Sequence, residues 1–364
     1  MFGHDTAQSL YDEALQVEVS PDANVSFLLS GVGDARHLYH TFMNIAAEES
    51  TKPTRRTFTL VVNDRKPHVM ARNLIIWILL DTIPRGRGAA GKPDLRILNT
   101  VYFIFSSLVM PLQDYERLQK TIAIAIAALD TGDMPSWIDI PVGIQRAAIM
   151  RVLKSWQTSA ASLYTTEEIV SEVVPAMADQ SEAAMIASLS IASGGKTLED
   201  MERDFKIEIT CYKQTLFLAP ESSILDKDQP QLAKLWKQYK NSQKKDTIEQ
   251  IRTYVSEHWK PNVTILDEDW DSATGSLSDL RPEPWKLPDL LVRNSFESSP
   301  KEKDRIGSYV EFFFLCSIVA IDALKEIKRI KVSVMLGDIT NYMERWRCSP
   351  NPPDFDRIHL ANIP

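Results

Sequence analysis

The sequence predicts an α/β protein whose parallel sheet is built from both ends of the chain and split by a long, mainly helical insertion. Three observations predict it. Short β-branched apolar runs alternate with helical periodicity over residues 1–84, strand signals stop over 85–306, and the alternation returns over 307–364.

The opening reads as strand, turn, helix. Residues 25–30 (VSFLLS) form a continuous apolar run, short enough for a strand covered on both faces. GVGDAR follows, then HLYHTFMNIAAEE, which carries Leu38, Phe42 and Ile45 on one helical face. Residues 57–64 (TFTLVVND) read as a second strand ending on an acid, and Val69 to Leu80 as a strongly apolar helix. Two strands joined in this way lie parallel.

Past residue 81 a Pro/Gly/Arg loop (IPRGRGAAGKP) leads into helices. Gln113 to Leu129 is nearly all helical in period, and Ile149, Val152, Leu153 and Trp156 share one face. Thr165 and Glu168 have the spacing of a capping box before IVSEVV. Ile207 to Phe217 (IEITCYKQTLF) is β-branched and aromatic enough for a local strand. Residues 229–259 set Leu232, Leu235, Trp236, Ile248, Ile251 and Val255 among charges, which predicts two exposed amphipathic helices broken near Asn241. Residues 261–306, rich in Pro, Asp, Ser and Trp, read as an extended connector. The return consists of a helix from Ser308 to Ile327, a strand from Lys331 to Leu336, a Gly337-Asp338 turn, a short helix from Ile339 to Trp346 and a strand from Phe355 to Leu360.

Composition narrows the function classes. With 44% apolar and 25% charged residues the chain is globular, and 41 Lys plus Arg against 49 Asp plus Glu speaks against a nucleic-acid surface. The N-terminus, with Asp5, Asp12 and Glu13, lacks the basic start and apolar core of a signal peptide. The apolar run from Phe312 to Ile321 is too short to span a membrane and reads as a core helix. Cys211, Cys316 and Cys348 are odd in number, far apart and without CxxC spacing, so no disulfide framework or zinc site is indicated. These features lead us to expect a cytoplasmic chain with no metal, no membrane and no nucleic-acid partner.

The chemistry gathers at strand ends. A parallel strand feeding a glycine turn and a helix brings free backbone N–H groups and the positive end of the helix dipole to one point, which suits an anionic ligand. Gly31 and Gly33 stand at that turn and Asp34 at the start of the helix, where a local ion pair with Arg36 is the structural alternative. Asp64 ends the next strand, where a nucleoside-binding fold sets a carboxylate for ribose hydroxyls, or forms a solvated turn with Arg65 and Lys66. Asp338 ends the strand that begins at Lys331. The carboxyl ends of adjacent strands open on one crevice, so Gly31, Gly33, Asp34, Asp64 and Asp338 are the candidate cofactor-binding residues.

Other motifs carry less. His37 and His40 have metal-like spacing but no evident third ligand. Gly86 to Lys92 (GRGAAGK) has phosphate-loop spacing, yet Pro93 replaces the hydroxyl residue and a helix precedes it. No Ser-His-Asp order, Cys-His order or HExxH motif is present, and no catalytic residue is assigned.

The order of features resembles class I S-adenosylmethionine-dependent methyltransferases over residues 20–80 and 328–364: a glycine turn, an acid after the second strand, an acid after the third, then FDRIH as the fourth. That resemblance implies a Rossmann-like core with S-adenosylmethionine as cofactor. The chain departs from the pattern in having Leu28, Leu29 and Ser30 where an acid is usual, Ala35 for the third glycine, and some 250 residues between the second and third strands. Asn351-Pro352-Pro353-Asp354-Phe355 resembles the catalytic motif of amino-methyltransferases but precedes a strand, and Ala361-Asn362-Ile363-Pro364 follows one but lacks the second proline.

LLSGVGDARHLYHTF, VVNDRKPHVMARNLIIWILL, VMLGDI and FDRIHLANIP together resemble the N-terminal domain of unknown function of fungal MYND-finger proteins and, more distantly, of axonemal dynein assembly factors. That family implies a methyltransferase-like fold without an established reaction. Its members usually continue past NIP, which implies a short or truncated member here. The resulting expectation is a protein-interaction or assembly-type domain on a degenerate methyltransferase-like fold that retains nucleoside binding, with a protein partner engaged by the amphipathic middle. The alternative is an active methyltransferase in which Asp64 and Asp338 hold the cofactor and the insertion builds the substrate pocket.

Overall fold

The computed structural model describes residues 6–83, 94–158, 164–178, 198–266, 277, 283–291 and 305–361. Five strands form one parallel sheet in the order β4-β6-β2-β1-β7: β1 is Asn24–Ser30, β2 Thr57–Asp64, β4 Ile138–Asp139, β6 Ile330–Leu336 and β7 Arg357–Leu360. The two ends of the chain therefore share a sheet. Leu28 of β1 faces Val61 of β2 on one side and Ile358 of β7 on the other, while Val62 pairs with Val334 of β6. Val25, Phe27, Leu28 and Leu29 are all buried, as a strand covered on both faces requires.

Helices cover the sheet because their apolar residues recur every three or four positions. The Arg36–Thr51 helix buries Leu38, Tyr39, Phe42 and Ile45 and packs against the Ile306–Glu326 helix. Ile306–Glu326 is long and apolar enough to cross a membrane, yet Val310, Phe313, Phe314, Ile318, Ile321 and Leu324 lie inside the molecule. Pro67 occupies the first turn of Pro67–Thr82, where its missing N–H costs nothing, and the helix is buried from Leu74 through Leu80. Leu112–Thr131 ends on Gly132 in the left-handed region, φ +81°.

The structure corrects three expectations for the middle of the chain. Strand signals do not stop entirely: Ile138–Asp139 joins the sheet edge, and β3 (Val109–Pro111) pairs antiparallel with β5 (Trp259–Pro261). Ile207 to Thr215 is helical, since Phe205, Ile209 and Tyr212 fall on one buried face. The helices Pro230–Ser242 and Lys245–His258 break at Gln243, close to the expected position, but turn their apolar faces inward; Leu232, Ile251 and Val255 are fully buried. Those faces are not available to a partner helix. The GRGAAGK segment lies outside the described residues.

Candidate functional site

The ends of β1, β2 and β6 are locked together by side chains and backbone. Ser30 Oγ donates to Asn63 Oδ1 at 2.8 Å, and Asn63 Nδ2 donates to the Gly337 carbonyl at 3.1 Å. Gly337 N–H donates to the Asp64 carbonyl at 2.9 Å and Val32 N–H to the Asn63 carbonyl at 3.1 Å. Three loops are thus held at fixed separations around one edge of the sheet.

The turn after β1 needs its glycines. Gly31 has φ +68° and faces the backbone of Ala361 so closely that a Cβ would lie 2.1 Å from the Ala361 carbonyl oxygen. Gly33 has φ +52°, and a Cβ there would meet only the Gly31 carbonyl oxygen, at an ordinary 3.8 Å. Ala35, where the methyltransferase pattern has glycine, takes the left-handed region all the same, at φ +58°. Asn73 Nδ2 donates to the Gly33 carbonyl at 2.8 Å, and the Gly33 N–H donates to Asp64 Oδ2 at 3.2 Å.

Gly31, Gly33, Asp64 and Asp338 line one cleft of about 530 Å³ at the carboxyl edge of the sheet. Asp64 is half-buried, and its Oδ1 accepts the Lys66 N–H at 3.0 Å. The carboxylate keeps further lone pairs for a ligand. Asp338 is exposed and caps the Ile339–Arg347 helix, accepting from Thr340 Oγ1 at 2.8 Å and Thr340 N–H at 2.9 Å. Those two hydrogen bonds hold its carboxyl below the ordinary carboxylate range.

Asp34 is not in the cleft. It is buried and paired with Arg36, whose Nε donates to Asp34 Oδ1 at 2.8 Å and Oδ2 at 3.1 Å. Burial alone would raise its pKa, but the Arg36 charge and hydrogen bonds outweigh that and hold it below the ordinary value. His37 Nδ1 accepts the Gln8 N–H at 3.1 Å and its ring lies 4.3 Å from that of His359. Among the described residues no group of three or more His, Cys, Asp or Glu could hold a metal ion.

Sequence reading missed the cationic side of the cleft. Arg65, Lys66, His68 and Arg72 line it, all from the start of the helix after Asp64 or the turn before it. The available signal was the run DRKPH directly after the acid. The insertion adds Thr264 and Ile265 to the wall, and Thr264 is held by Asn262, whose Nδ2 donates to the Ser107 carbonyl at 2.7 Å. The Asn351-Pro352-Pro353-Asp354-Phe355 segment contributes to a different feature: Pro352, Pro353 and Phe355 line a groove of about 270 Å³ with Met343, Trp346 and Ile358. Ala361 borders the cleft, and residues 362–364 lie outside the described residues.

Residues 1–101 match a family model described as Domain of unknown function (DUF4470). The match takes in β1, the glycine turn, β2 and Asp64 but stops before β6 and Asp338. No curated protein and no solved structure matches the chain.

Proposed function

We propose that this chain binds a nucleoside-type ligand, with S-adenosylmethionine the first candidate, on a Rossmann-like core of the class I methyltransferase kind. The observation that carries the reading is that Gly31, Gly33, Asp64 and Asp338, from three strand ends, line one open cleft. Strand order supports it: β6-β2-β1-β7 corresponds to the 3-2-1-4 order of doubly wound sheets, whose ligands sit beyond the carboxyl ends of the strands where the order reverses. In this reading Asp64 takes the ribose hydroxyls, and Asp338 faces the positively charged part of the ligand. Any methyl transfer would bring the acceptor against Thr264 and Ile265, the insertion's share of the wall, and would rest on positioning.

Calorimetric titration with S-adenosylmethionine and its demethylated product tests the reading. Saturable binding is expected for both, weakened in Asp64→Ala. No heat at millimolar ligand would sink it.

A second reading, a protein-interaction or assembly-type domain, is favoured by the separate groove lined in part by Ile358 of β7. Met343, Ile358 and the neighbouring Leu360 are exposed apolar residues there, 45%, 49% and 46% accessible, beside the partly buried Trp346 and Phe355. The two readings use different surfaces and are compatible.

A further inference from the structure

We propose that Arg72 is an anion anchor in the strand-end cleft, so that the ligand carries a carboxylate or a phosphate at this point. The proposal deepens the nucleoside reading and rests on the same cleft, but Arg72 supplies observations of its own.

Arg72 lines the cleft from the Pro67–Thr82 helix. Its position is set before any ligand arrives: Nη2 donates to the Phe105 carbonyl at 2.7 Å, and the guanidinium carbon lies 5.7 Å from the centre of the Phe105 ring. Its Nε is shut off from solvent and has no acceptor. Among the described residues no carboxylate pairs with Arg72. Other inward-turned arginines have either a carboxylate partner or an acceptor at each guanidinium nitrogen. Arg36 meets Asp34, Arg305 meets Glu311, Arg329 meets Glu49, and Arg56 gives its donors to the Ser20 and Gln16 carbonyls and the Tyr11 hydroxyl.

Burial lowers the Arg72 pKa to about 10, so the group stays cationic at neutral pH. The field of Asp34 reaches it, yet the Asp34 oxygens are already spent on Arg36. A guanidinium held in low dielectric without a counter-ion is costly, and its flat array of donors matches a carboxylate or phosphate edge. Arg65 and Lys66 add positive charge to the same cleft, giving three cations against Asp64 and Asp338. The chemistry shared by an amino-acid carboxylate and a nucleotide phosphate is therefore what this corner recognises.

The test compares adenosine, which has no anion, with S-adenosylhomocysteine and with adenosine monophosphate, by calorimetry on the full chain. At least one of the two anionic ligands should bind about tenfold tighter than adenosine, and whichever does identifies the group as carboxylate or phosphate. Arg72→Met should bring that ligand down to the level of adenosine, and Arg72→Lys should recover only part of the gap. Circular dichroism checks that both variants fold. Inorganic phosphate should compete with the preferred ligand in the wild-type chain, a measurement that needs no variant. Equal affinity for all three ligands, or a gap that survives in Arg72→Met, overturns the proposal. If no nucleoside binds but inorganic phosphate raises the melting temperature of wild type and not of Arg72→Met, the anchor stands and the nucleoside reading falls. If phosphate does neither, the anchor falls too.

Discussion

Asp64 Oδ2 accepts the Gly33 backbone N–H at 3.2 Å, so the acid ending the second strand holds the glycine turn that follows the first. The carboxylate expected to serve a ligand thus also shapes the loop that would cradle it. Asp64→Ala frees both the Gly33 and the Lys66 N–H groups, and hydrogen bonds to a half-exposed carboxylate are worth about 1–2 kcal/mol together. Urea denaturation should show a loss of that size, with Asp64→Asn in between. A stability equal to wild type would mean that the bond does not order the turn.

The two glycines of the turn should respond differently to the same substitution. In Gly31→Ala the new Cβ meets the Ala361 carbonyl oxygen at 2.1 Å, and Ala361 N–H is itself bonded to the Ser30 carbonyl at 2.9 Å, so the exit of β7 must move. The expected cost is on the order of 3 kcal/mol, combining left-handed strain with overpacking. Gly33→Ala meets nothing closer than 3.8 Å and bears only the backbone term, about 1 kcal/mol. Hydrogen exchange at residues 357–361 should accelerate in the first variant and not in the second. Equal costs would show that the contact with Ala361 is unimportant.

What was legible in the sequence follows from how local each signal is. The strand at residues 25–30 was readable because burial on both faces demands a continuous apolar run, and those at 57–64 and 331–336 because their buried residues, Phe58, Leu60 and Val62 and then Val332 and Val334, fall at every second position. The capping box was readable because it depends on two residues only: Thr165 N–H donates to Glu168 Oε2 at 2.7 Å, and Glu168 N–H to Thr165 Oγ1 at 3.1 Å. Ile138–Asp139 was not readable, since two residues have no period and their pairing is fixed by the Trp137 carbonyl accepting from Val332 N–H and by the Trp137 indole donating to Asp81. Asp34 and Arg72 meet that limit to different degrees. The Asp34–Arg36 pair was open to the sequence as an alternative to ligand contact because it is local, and only the fold decides between the two. Arg72, a charge in a helical stretch, reads as solvated until tertiary packing leaves it beside the cleft.

The pH dependence of stability should expose His37. Burial comes first in lowering its pKa, followed by the charges of His359 and Arg36, and the result is about 4 against an ordinary 6.5. The folded state therefore keeps the ring neutral where the unfolded chain takes a proton. Between pH 6.5 and 4 the unfolded state binds more protons, so stability is full above 6.5 and falls as pH drops through that interval. At 1.36 kcal/mol per pH unit the ceiling is about 3 kcal/mol, and partial solvent contact reduces it to roughly 1–2 kcal/mol. His40, also lowered by burial, acts in the same direction, so His37→Gln should flatten the slope without abolishing it. Asp34 belongs to a separate window: its carboxyl lies below the ordinary 3.8, so its contribution is present above that pH and disappears only as pH falls further. Urea midpoints measured from pH 7 to pH 4 for wild type and His37→Gln separate the two groups. Parallel curves across that range would mean that His37 is as free to protonate in the fold as in the unfolded chain.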